Sequence, residues 1–113
     1  MTYELRTVST EVDHNHRRDR LTTERSKIDS AILSADYTAK ATFSTLDEAR
    51  KACVKCSHSI YPMKSMSEWV LNVDTAYIAV LDDDGEDTGD YDSAGQLEIP
   101  ETWDDTSDDE DEE

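Results

Sequence analysis

Residues 45–60 read TLDEARKACVKCSHSI, and the reading of this stretch decides the fold. Thr45 stands three residues before Glu48, so each side chain can satisfy an end amide of a helix in a capping box. Asp47 and Glu48 in the first turn also suit the positive end of the helix dipole. Leu46, Ala49, Cys53, Cys56 and Ile60 follow alternating steps of three and four, which predicts one apolar helix face ending near Pro62. On both sides the period drops to two. Upstream, Asp36 to Phe43 sets Tyr37, Ala39, Ala41 and Phe43 on one face of a strand. Downstream, Tyr61 to Ser67 reads as a loop. Trp69 to Val73 and Ala76 to Leu81 are β-rich runs that should pair as a hairpin with its turn near Asn72 to Thr75. Asp83-Asp84-Gly85 is a strong turn signal after the second run.

Nearer the N-terminus, Tyr3, Leu5, Val8 and Val12 alternate loosely with polar residues, as in a half-exposed strand. Asp13 to Ala35 is expected to be a charged helix with a narrow stripe of Leu21, Ile28, Ala31, Ile32 and Ala35. These periods predict an α+β domain, a small antiparallel sheet with one or two helices on one face. It would carry an acidic, partly disordered C-terminal arm.

The chain has 113 residues, enough for one small domain. It carries 28 acidic and 11 basic residues, and their placement matters more than their number. Residues 1–81 hold 11 of each sign, whereas 82–113 hold 17 acids and no cation. The sequence therefore divides into a neutral body, 1–81, and an acidic segment, 82–113, with apolar anchors at 97–103. This excludes a uniformly acidic surface and disfavours a free-standing nucleic-acid binder, since the summed field repels phosphate. An apolar share of 35% predicts a thin core and marginal stability, helped by a partner or self-association. No stretch reaches the ~18 apolar residues of a membrane span. Two cysteines without an apolar leader lead us to expect a reducing, cytoplasmic setting.

Several constellations could carry chemistry. Cys53, Cys56 and His58, with His14 and His16, offer ligand types suited to zinc. The competing reading is structural: both cysteines continue the apolar face begun by Leu46 and Ala49. We expect no metal centre and no cofactor. An EF-hand fails position by position, since Val80 would stand first with Gly85 in sixth place, and Gly95 would stand twelfth with Gly89 there. No nucleophile elbow or phosphate-cradling glycine loop is present, and exposed acids are poorly placed for proton transfer, so an enzyme is not expected. Arg17, Arg18, Arg20, Arg25 and Lys27 form the one electropositive cluster. It reads as a solvated helix face, as a dock for the chain's own acidic tail, or as a contact with an acidic partner.

The acidic segment holds the strongest functional signal. Eight of the last ten residues are acids. At ~3.3 Å per extended residue this approaches the charge spacing along one DNA strand. Leu97, Ile99 and Trp103 are apolar anchors embedded in it, and Trp is a frequent hot spot at interfaces. With Thr45 to Ala49 opening a helix and D-D-E-D-E-E closing the chain, the sequence resembles small acidic bacteriophage host-takeover proteins. These include DNA-mimic anti-restriction proteins and inhibitors of host RNA polymerase. The resemblance covers mainly Phe43 to Ala52 and the tail. It implies a non-catalytic inhibitor that occludes a DNA-binding surface in the host cytoplasm. Anti-restriction mimics carry their acids on the folded surface, whereas this body is neutral, which favours a tail that plugs a basic groove.

The function expected from the sequence is thus inhibition of a host nucleic-acid-handling protein, an RNA polymerase or a restriction or other defence nuclease, by charge mimicry. No direct contact with nucleic acid or membrane is expected. The contacts would come from Leu97, Ile99 and Trp103; from Asp82, Asp83 and Asp84; and from Asp104, Asp105, Asp108, Asp109, Glu110, Asp111, Glu112 and Glu113. Trp69 and Tyr77 would add a second contact from the body. The alternative is an adaptor or inhibitor acting through the folded body, with the tail serving solubility.

Overall fold

A computed structural model of the chain describes residues 1–92, 95–100 and 103. It is an α+β fold, a five-stranded antiparallel sheet with two α-helices. The elements are β1 (Thr2–Asn15), a short 3-10 turn (Arg18–Arg20), α1 (Arg25–Ser34), β2 (Tyr37–Phe43), α2 (Leu46–Val54), β3 (Ser59–Ser65), β4 (Glu68–Leu81) and β5 (Asp87–Asp92). The sheet order is β2-β1-β4-β3, and β5 also pairs with β4. β1 and β4, each of 14 residues, form the spine, running from Thr2↔Leu81 to Asn15↔Trp69. β3 pairs with the first half of β4 and β5 with its end.

The alternation of side chains along β4 puts one helix on each side of the sheet. Val73, Tyr77 and Ala79 face one way and pack with Val8 under Ile28 and Ile32 of α1. Ala76 and Ile78 face the other way and pack with Leu5 under Ala49 and Cys53 of α2. The helices are therefore divided between two faces, not gathered on one. A third cluster joins Leu21, Leu71 and Trp103 beyond the reach of either helix.

Strand β2 and the start of α2 lie where expected, and the Glu48 amide donates to the Thr45 hydroxyl at 3.2 Å. Four boundaries differ. First, α2 stops at Val54, because His58 Nε2 donates to the Cys53 carbonyl (2.6 Å) and its Nδ1 pairs with the Thr75 hydroxyl (2.8 Å), turning the chain away. Second, the expected loop Tyr61 to Ser67 is mostly β3, an edge strand that tolerates Pro62. Third, the hairpin expected within β4 is one unbroken strand. Asn72 and Asp74 are not turn residues: Asn72 donates to the Tyr61 hydroxyl at 3.1 Å, and that hydroxyl donates to Asp74 at 2.9 Å. The true hairpin joins β3 to β4 through Met66, whose φ of 53° lies in the left-handed region usually left to glycine. Fourth, Asp13 to Asn15 continue β1, and the helix expected from Asp13 begins only at Arg25.

The folded body also runs past Leu81. The Asp82–Gly85 turn, with Gly85 at φ 83°, leads into β5, and Leu97 and Trp103 return to the core. The expectations for Asp104 to Glu113 lie outside the described residues. Among the described residues, no helix is long and apolar enough to cross a membrane.

Candidate functional site

The residues expected to form the interface are spread along β4: Asp82, Asp83 and Asp84 follow its C-terminal end, Tyr77 and Leu97 sit with its middle, and Trp69 and Trp103 lie toward its N-terminal end. At the C-terminal end of β4, Asp82 shapes the turn: its Oδ1 accepts the amides of Asp84 and Glu86, both at 2.9 Å. Asp83 pairs with the N-terminal ammonium at 3.0 Å, and Asp84 is exposed. Further along the acidic segment, Asp87 reaches Arg6 at 3.0 Å and Asp92 reaches Arg50 at 2.6 Å. Three acids of this first stretch are thus occupied by cations of the body.

Arg6 is the residue that sequence reasoning missed. It sits at a polar position of β1, yet only 7% of it is exposed. Its guanidinium donates to Glu4 at 2.6 Å and to Asp87 at 3.0 Å, and lies 4.0 Å from the Tyr37 ring centre. Burial opposes the charge, but the hydrogen bonds to Glu4, Tyr77 and Asp87 outweigh it and raise its pKa above the ordinary arginine value. Asp87 is correspondingly held below the usual carboxylate range, chiefly by the Gly89 amide, with Arg6 adding to the effect. The one available signal was Glu4, two residues away on the same strand face. Arg6, Leu33, Tyr77, Asp87 and Tyr91 line a cleft of about 240 Å³ between α1 and β5. Its charge is already balanced by Glu4 and Asp87, so the arrangement clasps β5 to the sheet. Tyr77 is buried beneath this clasp, edge-on to Tyr91 with centroids 6.4 Å apart, and does not offer the surface expected of it.

From the middle of β4 toward its N-terminal end lies the apolar seat of the C-terminal segment. Leu97 is 2% exposed in the α1 cluster, and Trp103 is 7% exposed against Leu21 and Leu71. Ile99 and Trp69 pack on the same cluster, half-buried. The anchors are therefore engaged with the chain's own body. The basic cluster frames this seat. An Arg25 Nη donates to the Leu97 carbonyl at 2.6 Å. The Arg18 guanidinium and the Lys64 ammonium lie 5.2 and 5.3 Å from the Trp69 ring centre. Arg17 and Arg20 are exposed beside them, Arg17 forming an ion pair with Asp19 at 2.8 Å.

The cysteines behave as core residues. Cys53 is buried against β4, its thiol near the Ala76 carbonyl, and burial pushes its pKa up to about 11, so it is a poor nucleophile. His14 lies on the opposite end of the sheet between Glu11 and Glu68. Among the described residues, no group of three or more His, Cys, Asp or Glu side chains is placed to hold a metal ion.

No family model matches the chain, and neither the curated proteins nor the solved structures yield a significant match.

Proposed function

We propose that this protein is a non-catalytic binding protein whose acidic C-terminal segment engages the basic groove of a nucleic-acid-handling protein and blocks it. The observation that carries this reading is the partition of charge, with 17 acids and no cation in residues 82–113. The seating of Trp103 supports it, because the eight acids that follow are tethered to a fixed point on the body. Restraining one end of a charged segment reduces the ordering cost when the remainder binds. Electrostatic attraction would speed the encounter, and added salt would weaken it.

The test compares the full chain with residues 1–103, since a cut at Leu81 would also remove core. Each is assayed as an inhibitor of a panel of RNA polymerases and restriction nucleases at low and high salt. Inhibition by the full chain alone, relieved by salt, is the expected result. Equal inhibition by both proteins at high salt would overturn the reading. That outcome would favour contact through the body, for which the sheet face beyond α2 is available, with Met63 46% exposed beside Tyr61.

A further inference from the structure

We infer that the cleft between the end of α2 and the sheet, rimmed by Lys40 and Lys55, binds the phosphate group of a small, hydroxyl-bearing phosphomonoester such as a sugar phosphate. The argument begins with the path of β2. Leu5 pairs with Ala41 and Arg6 with Ala39, so Lys40 is an extra residue between them, a β-bulge. The bulge divides the face expected of β2. Tyr37 lies under the Arg6 guanidinium on the α1 side, whereas Phe43 packs with Leu5 and Cys53 on the α2 side. Lys40 is thereby turned to the α2 side, where it lines a cleft with Lys55, Ser57, Thr7 of β1 and Asp74 of β4. A lysine on a bulged edge strand also discourages strand addition. That role needs only exposure and does not bring a second lysine to the same cleft.

The cleft measures about 420 Å³, within the range of small-molecule sites, and opens to solvent. Among the described residues, neither Lys40 nor Lys55 forms an ion pair. The Thr7 hydroxyl makes only a 3.5 Å contact with the Thr38 carbonyl, and Ser57 is exposed. Two ammonium groups and two hydroxyls are thus donors without strong partners, a set that a phosphate dianion satisfies. The end of α2 adds little opposing charge. Its Ala52 and Cys53 carbonyls already accept the Lys55 and Cys56 amides at 3.1 and 3.0 Å, and His58 Nε2 also donates to the Cys53 carbonyl.

Asp74 selects the other end of the ligand. Its Oδ1 accepts from Ser9 at 2.5 Å and its Oδ2 from Tyr61 at 2.9 Å, which leaves each oxygen a further lone pair for a donor. A bare phosphate gains the lysines and meets the Asp74 charge, whereas a monoester with hydroxyl groups also donates to Asp74. None of these residues lies beyond Thr75 in the chain, so this site and the function proposed for the acidic segment stand or fall separately.

The experiment uses the full chain. Backbone amide shifts are followed during titration with ribose 5-phosphate, inorganic phosphate and ribose, at constant ionic strength set with sodium chloride. Expected for ribose 5-phosphate is a saturable change focused on residues 7–8, 38–41, 55–58 and 74–75, with a Kd of about 1 mM or tighter. Inorganic phosphate should act on the same residues at least about fivefold more weakly, and ribose should shift none of them. Lys40→Ala with Lys55→Ala should weaken ribose 5-phosphate at least about tenfold. Lys27→Ala with Lys64→Ala removes the same charge on the α1 side and should change binding less than about twofold. Asp74→Asn should tighten inorganic phosphate and abolish the preference for the ester. No saturable shift, shifts centred on residues 17–27, or equal loss in the two double variants would overturn the site. Equal binding of phosphate and ribose 5-phosphate by the wild type would overturn the ligand class. All four lysines are exposed, and thermal melts verify that both double variants fold.

Discussion

His14 shows what a single side chain can do at the polar end of this sheet. Its Nε2 lies 3.2 Å from Glu11 and its Nδ1 3.2 Å from Glu68. Only the imidazolium can donate from both nitrogens at once. The hydrogen bond to Glu68 is the main cause that raises its pKa above 6.5, partly opposed by burial and reinforced by the charges of Glu11, Glu68 and Asp13. A folded-state pKa above the unfolded one means stability that is complete below about 6.5 and lost as pH rises through the folded value. Urea midpoints should therefore fall between pH 6 and 8 in the wild type and stay flat in His14→Gln. An NMR titration of the ring should show a midpoint above 6.5; one at or below that value would refute the assignment.

At the level of elements, local signals were legible and long-range ones were not. The Thr45 cap and the alternation of β2 act within a few residues, so the chain announces them directly. The continuity of β4 depends on Tyr61 and Ser9 reaching Asn72 and Asp74 from neighbouring strands, and short-range patterning reads those two residues as a turn. The same limit applies to the candidate site. Leu97, Ile99 and Trp103 could be recognised as anchors, but their seat on Leu21 and Leu71 is distant in sequence. β5 is the extreme case, a strand reading DTGDYD with little β-propensity of its own. It is held by pairing with β4, by Asp92 on Arg50 and by Asp87 on Arg6. Arg6→Met should cost about 2 kcal/mol, because it leaves Glu4 half-buried without its charged donor. Asp87→Asn should cost under about 1 kcal/mol, since that carboxylate is half-exposed and water replaces its partner. Chemical denaturation gives both values, and the reverse ranking would count against the clasp.

At the level of the whole molecule, the boundary of the folded body separates two accounts of the acidic segment. If the body ended at Leu81, everything after it could be removed without loss of structure. Instead, residues 87–103 supply a strand, the partner of a buried arginine and two core side chains. Losing Trp103 alone should cost about 3–5 kcal/mol. That is a large share of the ~5–15 kcal/mol typical of a small domain. Residues 1–81 should therefore show no cooperative thermal transition by circular dichroism. Residues 1–103 should melt within a few degrees of the full chain. At low salt they should melt slightly higher, because eight mutually repelling acids are gone. Comparing 1–103 with the full chain at rising salt checks this, since a gain from lost repulsion should fade with screening. A 1–81 fragment that melted like the full chain would return the acidic segment to the status of a detachable appendage.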